Sequence, residues 1–225
     1  MANPAMRLVV FDVDGTLVDS QHLIVAAQGV AFSEVGLPAP ERRVALSVVG
    51  LSLPQAFRRL VGEDGPVDEL SERYKLAYNR LRLDPEHEEP LFPGMAELVE
   101  GLHAREDVAL GIATGKSRRG VDRLLDHLGW TEWFVTTQTA DDAPSKPDPA
   151  MLTQAMAAAG TRPDTTVMIG DTTFDMAMAV AAGVAPIGVG WGYHRPGALY
   201  GSGAVTVVET AAALNGLLAG APIGR

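Results

Sequence analysis

Six polar side chains of this sequence either follow its apolar stretches or lie in a loop between them. The set consists of Asp12, Asp14, Thr114, Lys146, Asp171 and Asp175. In an open parallel sheet, side chains just beyond the carboxyl ends of the strands meet at one edge, and we expect these six to converge there. Carboxylates gathered in this way repel one another unless a divalent cation holds them, and ligation by oxygen atoms alone favours Mg²⁺ over zinc. The pattern therefore predicts a magnesium site.

Asp12 and Asp14 stand on alternate residues and can divide a reaction between them. One carboxylate can point at a phosphorus atom while the other lies near the leaving oxygen. Taken alone, the pair has an equally good structural explanation, in which it ends a strand and forms a turn. Asp171 and Asp175 favour the functional explanation, because they bring further acids to the same edge of the sheet.

Thr114 ends the second apolar stretch, and a helix that begins near Ser117 would direct its free amide groups at the same point. Such a helix start is a typical anion site, although Ser117 can also simply cap the helix. The string Gly115-Lys116-Ser117 is not a nucleotide-binding P-loop, because that motif needs a glycine where this sequence has Leu110. Lys146, whose loop is stiffened by prolines, is the predicted cation of the site.

The elements that must position these residues are apolar stretches of strand length. They occupy residues 8–11, 108–113, 166–169 and 184–189, with weaker candidates at 133–136 and 205–208. Helical patterns lie between them, as at 121–128 and 151–159, and each of these two is followed by a glycine. This alternation predicts an α/β fold, a Rossmann-like parallel sheet with helices on both faces.

One interval, residues 18–89, carries only helical patterns. It follows the first strand and its loop, and it ends at a proline-rich boundary before a helix predicted over 95–103. We therefore predict a small inserted all-helical cap domain at 18–89 and an α/β core domain formed by 1–17 and 90–225. The two connections permit hinge motion, and Asp19 and Ser20 are expected to cap the first inserted helix.

Composition excludes several classes of function. The formal net charge of -10 and the lack of a basic stripe argue against nucleic acid as a partner, and no apolar window is long enough to span a membrane. The sequence has no cysteine, which excludes disulfides, thiolate metal sites and a cysteine nucleophile. Residues 1–7 lack the pattern of a secretory signal, so a cytoplasmic location is expected. The oligomeric state, monomer or homodimer, cannot be read from the sequence.

Four motifs resemble those of the haloacid dehalogenase-like hydrolase superfamily. The stretch from Asp12 to Ser20, Asp-Val-Asp-Gly-Thr-Leu-Val-Asp-Ser, resembles its nucleophile motif. Thr114 resembles the second motif and Lys146, within Ser-Lys-Pro-Asp-Pro, the third. The stretch 170–176, Gly-Asp-Thr-Thr-Phe-Asp-Met, resembles the fourth, and all four stand in the same order as in the superfamily. The helical insert is similar to the small cap of the phosphoglycolate phosphatase-like branch.

The resemblance implies an enzyme, a magnesium-dependent phosphatase that hydrolyses a small phosphorylated metabolite through an aspartyl-phosphate. It makes Asp12 the nucleophile and a metal ligand, and Asp14 the acid and base whose backbone carbonyl also meets the metal. It makes Asp171 a metal ligand and assigns the substrate phosphate to Thr114, Gly115 and Lys146 together with Asp12. Asp175 would bond to the water shell of the metal or to Lys146. Superfamily dehalogenases lack an aspartate at the position of Asp14.

Other functions stay open at this point. A phosphomutase or a pyrophosphatase of the same superfamily would share these motifs, and a non-catalytic phosphate-binding protein is the alternative of a different class. Substrate specificity is expected in the insert, around residues 50–53 or at Arg42, Arg43 and Arg58, and phosphoglycolate is the first substrate that the resemblance suggests. Residues 191–194 are a further candidate border of the pocket, with loop packing as the alternative.

Overall fold

The computed structural model describes residues 6–220 and contains one parallel sheet of six strands in the order β3-β2-β1-β4-β5-β6. The strands are β1 (Arg7–Phe11), β2 (Val108–Ala113), β3 (Phe134–Gln138), β4 (Thr166–Gly170), β5 (Ala185–Val189) and β6 (Thr206–Val208). The predicted strands are confirmed. The expected absence of a secretory signal concerned residues 1–7, of which 1–5 lie outside the described residues.

Helices cover both faces of the sheet because the inner strands are apolar on both sides. Along β1, Val9 and Phe11 face one core cluster, which includes Val121 and other residues of the helices on that side. Leu8 and Val10 face the opposite cluster, together with residues such as Met151. This alternation is what a buried parallel strand requires, and the predicted α/β fold is confirmed.

The helices outside the insert alternate with the strands. They are α5 (Met95–His103), α6 (Arg118–Leu128), α7 (Ala150–Ala159), α8 (Thr173–Ala181), α9 (Pro196–Gly201) and α10 (Ala211–Ala219). Helices α6 and α7 end at Gly129 and Gly160, whose φ angles of 71° and 65° are left-handed, as the sequence predicted for these stops. Within residues 6–220, every helix is too short or too polar to cross a membrane.

Between β1 and β2 the chain forms only helices. They are α1 (Gln21–Glu34), α2 (Arg42–Leu46), α3 (Leu53–Val61) and α4 (Val67–Leu81). They enclose a core cluster of their own around Phe32, Phe57 and Leu70. The two connections of the insert lie side by side, because the Asp19 amide donates to the Pro90 carbonyl at 2.8 Å. The helical insert is thus observed, whereas its status as a separate cap domain stays a prediction.

The start of α1 differs in part from expectation. Ser20 occupies the N-cap position, but its hydroxyl does not bond to the helix backbone and lies 3.2 Å from the Tyr193 hydroxyl instead. Asp19 does accept a long bond of 3.4 Å from the Gln21 amide. The prediction that Ser20 caps the helix with its side chain is therefore wrong, because a contact distant in sequence takes its hydroxyl.

Candidate active site

The strand order brings the predicted site residues to one place. Strand β1 lies between β2 and β4, so the loops that follow these three strands are neighbours. These loops carry Asp12 and Asp14, then Thr114, then Asp171. Backbone bonds continue the pairing beyond β1, since the Asp12 amide donates to the Ile169 carbonyl at 2.9 Å. The sheet edge that the sequence analysis identified therefore holds the acidic residues.

Lys146 lies at the centre of this acidic group and has no exposed surface. Its Nζ is 3.0 Å from Asp12 Oδ1 and 2.6 Å from Asp175 Oδ1. Asp175 Oδ2 accepts from the Thr172 amide at 3.0 Å and from the Thr172 hydroxyl at 2.7 Å, as part of the capping box of α8. Because these bonds fix the Asp175 carboxylate, it orients the lysine, which is one of the two roles that the resemblance implied.

Asp171 is held by two donors in a narrow space. Its Oδ1 accepts from the Thr16 hydroxyl at 3.1 Å, and its Oδ2 accepts from the Tyr193 amide at 2.8 Å. Gly15, with a φ of 86°, and Gly192 both approach so closely that a Cβ on either would overlap Asp171. The two glycines therefore let the loops close around this carboxylate.

The electrostatics of the group call for an additional cation. Burial raises the pKa of Asp12 to about 7; the Lys146 charge opposes this rise and the Asp175 charge adds to it. Burial, followed by the charges of Asp12 and Asp175, raises the pKa of Asp171 well above its usual value. Burial also disfavours the charged form of Lys146, but its carboxylate neighbours outweigh burial and raise its pKa. One ammonium thus faces three buried carboxylates.

The residues fit a magnesium ion. Oxygens of Asp12, Asp171 and Asp175 all lie within 4.8 Å of one another. The Asp12 carboxylate is buried, and Lys146 is the one cation paired with it within residues 6–220. Three buried carboxylates that share one ammonium are costly, and an all-oxygen site is the kind that Mg²⁺ prefers. The Asp14 side chain lies outside this group, so its predicted part as a ligand rests on its backbone carbonyl alone.

Thr114 and Gly115 lie at the start of α6, where the sequence predicted an anion site. Thr114 is buried, and its Oγ1 accepts from the Lys116 amide at 3.2 Å. The predicted cap is present, since Ser117 Oγ accepts from the Gly120 amide at 3.3 Å. A Cβ on Gly115 would lie 2.7 Å from the carbonyl oxygens of residues 50 and 51, so the insert crosses directly over this loop.

Lys116 is a site residue that the sequence analysis missed. Its Nζ donates to Asp14 Oδ1 at 2.9 Å, to Glu89 Oε1 at 2.8 Å and to the Tyr78 hydroxyl at 2.7 Å. Burial disfavours its charged form, but the charges of Asp14 and of these other partners outweigh burial and raise the pKa of Lys116 well above its usual value. Lys116 thus joins Asp14 to α4 and to the second connection of the insert. The sequence contained one signal for this role, the position of the lysine two residues after Thr114.

We expect the Lys116→Met variant to lose about 2–3 kcal/mol of unfolding free energy, because it leaves Asp14 and Glu89 poorly solvated and without their shared cation. Lys75→Met is the matched control, since its pair with Glu72 is exposed and contributes at most about 0.5 kcal/mol. Urea unfolding of both variants measures the difference. Equal midpoints for the two would contradict this account of the cluster.

A cavity of about 600 Å³ lies between the insert and the sheet edge, with Asp12 and Asp14 among its lining residues. The expectation that residues 50–53 face the site is confirmed, since they line the same cavity. Arg42, Arg43 and Arg58, the alternative position for specificity, are exposed and are not among the residues that line this cavity, so the structure favours residues 50–53. Arg42 bonds to Gln21 at 2.7 Å and Arg58 pairs with Glu63 at 3.1 Å instead.

Residues 191–194 support the site from behind rather than bordering the cavity. The Trp191 indole Nε1 donates to the Thr16 carbonyl at 3.1 Å, and Tyr193 holds Asp171 as described above. His194 Nδ1 lies 3.1 Å from the Thr173 amide at the start of α8. The loop therefore fixes the positions of the β1 and β4 loops, and the alternative of loop packing is the better description.

Comparison with known proteins gives matches over most of the chain. The family model described as haloacid dehalogenase-like hydrolase matches residues 9–189. The probable phosphatase IndB of Dickeya dadantii is 35% identical over 207 residues, which cover 90% of this chain and 89% of that protein. A phosphoglycolate phosphatase of Pseudomonas savastanoi pv. phaseolicola is 32% identical, with 84% and 71% covered. The crystal structure of a hydrolase from Pseudomonas syringae has a TM-score of 0.83 at 29% identity, with 95% and 98% covered.

Proposed function

Because the chain belongs to the haloacid dehalogenase-like hydrolase family and is a phosphatase of that family, we propose that it hydrolyses a small phosphorylated metabolite with bound Mg²⁺ through an aspartyl-phosphate on Asp12. The observation that carries the proposal is the state of Asp12. Its carboxylate is buried, lines the cavity and is paired with Lys146 at 3.0 Å. A buried carboxylate that faces the cavity beside one cation is placed to attack phosphorus.

The ion would be held by the carboxylates of Asp12 and Asp171 and by the backbone carbonyl of Asp14. Asp175 Oδ1 is paired with Lys146 at 2.6 Å, and its Oδ2 accepts from both the amide and the hydroxyl of Thr172, so its proposed role is to position Lys146. When bound, Mg²⁺ supplies positive charge against the phosphoryl oxygens and lowers the repulsion that opposes attack by a carboxylate.

In the first transfer, an Asp12 oxygen bonds to phosphorus while the bond from phosphorus to the leaving oxygen breaks. Asp14 delivers a proton to the leaving oxygen. Its carboxyl group must first break its bond to Lys116 and turn toward the substrate. Lys146, Thr114 and the Gly115 amide bind the phosphoryl oxygens, which carry charge throughout. The leaving alcohol then departs into the cavity.

In the second transfer, Asp14 removes a proton from a water molecule whose oxygen bonds to the phosphorus. The bond between phosphorus and Asp12 breaks, and inorganic phosphate is released. We further propose that residues 18–89 form a cap domain whose closure over the site excludes bulk water during the first transfer. The adjacent connections near Asp19 and Pro90 are the proposed hinge.

A phosphate-release screen over small phosphorylated metabolites, with and without chelator, tests the proposal. Phosphoglycolate is the first compound to assay, because one of the relatives bears that name. We expect chelation to lower turnover at least about 100-fold and added Mg²⁺ to restore it, since the buried carboxylates then regain their counter-charge. Mg²⁺ should also raise the unfolding temperature, because it binds the folded chain. Full turnover in chelator would contradict the metal dependence.

The same assay separates the alternatives. A phosphomutase would form an isomer without phosphate release, a pyrophosphatase would act on pyrophosphate, and a binding protein would turn over none of these compounds. The proposed partner is a small molecule, in keeping with a net charge that disfavours nucleic acid. A cytoplasmic location stays an expectation.

A further inference from the structure

Arg82, Arg119 and Arg123 form a cationic cluster beside the cavity. Arg119 and Arg123 stand one turn apart on α6 and both line the cavity that contains Asp12. Arg82 directly follows α4 on the insert. Arg82 and Arg119 lie close enough to Arg123 for their charges, after burial, to lower its pKa.

None of the three arginines forms an ion pair with a carboxylate of residues 6–220. Arg123 donates only to the neutral Asn79 side chain, at 3.2 Å, and the Nε of Arg82 is buried without any partner in that range. Glu89 is the carboxylate whose charge acts on Arg123, but its Oε1 is taken by Lys116 and Tyr78. Like charges without partners repel one another, so an anion bound among them would be stabilised.

The cavity is larger than a two-carbon phosphate requires. Pockets of about 300–1,000 Å³ bind drug-sized molecules, and the volume here is about 600 Å³. A substrate with its reacting phosphate at Asp12 has room to extend along the cavity toward α6. Apolar side chains, among them Val49, Leu51 and Phe57, line the wall that the insert contributes. Arg119 and Arg123 are lining residues whose side chains carry positive charge and form no ion pair within residues 6–220.

We propose that Arg119 and Arg123, supported by Arg82, bind a second anionic group of the substrate, which is therefore a phosphate monoester with a second phosphate or a carboxylate at its far end. The inference rests on the proposed function, because it places the reacting phosphate at Asp12. Arginine suits the task, since its planar donors match both carboxylate and phosphate oxygens.

Two matched pairs of esters test the subsite. The first pair is 3-phosphoglycerate and glycerol 3-phosphate, which differ in the carboxylate, and the second is fructose 1,6-bisphosphate and fructose 6-phosphate, which differ in one phosphate. In at least one pair we expect wild-type kcat/KM to favour the doubly anionic member about tenfold or more. The R119Q/R123Q double variant should lower that preference at least about tenfold, mainly through KM. The pair that responds identifies the anionic group.

R162Q is the matched control, because Arg162 is exposed and pairs with Asp164 away from the cavity, and it should keep the wild-type preference. R119K/R123K, which keeps the charges, should retain part of it. The subsite would be overturned if R119Q/R123Q lowered kcat/KM equally for both members of each pair, or if it kept the wild-type preference for the doubly anionic member. Either result would leave the proposed phosphatase activity in place. Absence of phosphate release from all four esters and from p-nitrophenyl phosphate would instead overturn the proposed function.

Discussion

The Asp12→Asn variant is expected to release phosphate at least about 10⁴-fold more slowly than the wild type, because an amide of the same shape cannot attack phosphorus. It should nevertheless fold. The pKa of Asp12 is about 7 in the folded, metal-free protein, against 3.8 in the unfolded chain. Ionisation of this carboxylate therefore destabilises the folded protein as the pH rises from 3.8 through about 7. In chelator at pH 8 the variant should therefore be at least as stable as the wild type, with Lys146 still paired to Asp175.

Three measurements check this expectation. Steady-state phosphate release gives the rate, urea unfolding in chelator gives the stability, and mass spectrometry after acid quench detects a phosphoryl group on the wild-type chain that the variant lacks. Asp64→Asn, in an exposed loop, is the control and should behave as the wild type in all three. A folded Asp12→Asn protein with wild-type turnover would exclude the aspartyl-phosphate route.

Local patterns were sufficient to predict the sheet and the acidic edge. Strands such as β1 and β4 are apolar on both faces, and the polar residues directly after them identify the edge at which a ligand binds. Helix α2 (Arg42–Leu46) was not predicted, because five residues are too few to show a helical period. Asp14 was located correctly in the chain, but its bond to Lys116 depends on a contact between residues 102 positions apart.

The cluster around Lys116 illustrates what a sequence pattern conceals. Tyr78 fits the apolar face of α4, and Glu89 fits a domain boundary, so neither residue suggests a site when considered by itself. Their carboxylate and hydroxyl groups meet Lys116 only because α4 and the second connection of the insert cross the loop after β2. The same packing leaves the arginines of α2 and α3 exposed, whereas Arg119 and Arg123 of α6 line the cavity.

Lys146→Met is expected to lower kcat/KM by about 10³-fold, close to the loss that follows removal of one group that stabilises transition-state charge. Methionine has nearly the length of lysine, so the change removes the ammonium and keeps the packing. The variant leaves Asp12 and Asp175 buried without their shared cation, and its unfolding free energy in chelator should fall by about 3–5 kcal/mol. Mg²⁺ should stabilise the variant more than the wild type, because it then supplies the missing counter-charge.

Rate and stability together distinguish two roles of Lys146. If the lysine only balances the buried carboxylates, Mg²⁺ will restore the stability of Lys146→Met and its rate as well. If the lysine also binds the phosphoryl oxygens, the rate will stay low when the protein is fully folded and saturated with Mg²⁺. We expect the second result, because Lys146 Nζ lies 3.0 Å from Asp12 Oδ1, beside the atom that is proposed to attack phosphorus. Its ammonium is therefore placed to neutralise the phosphoryl group during transfer.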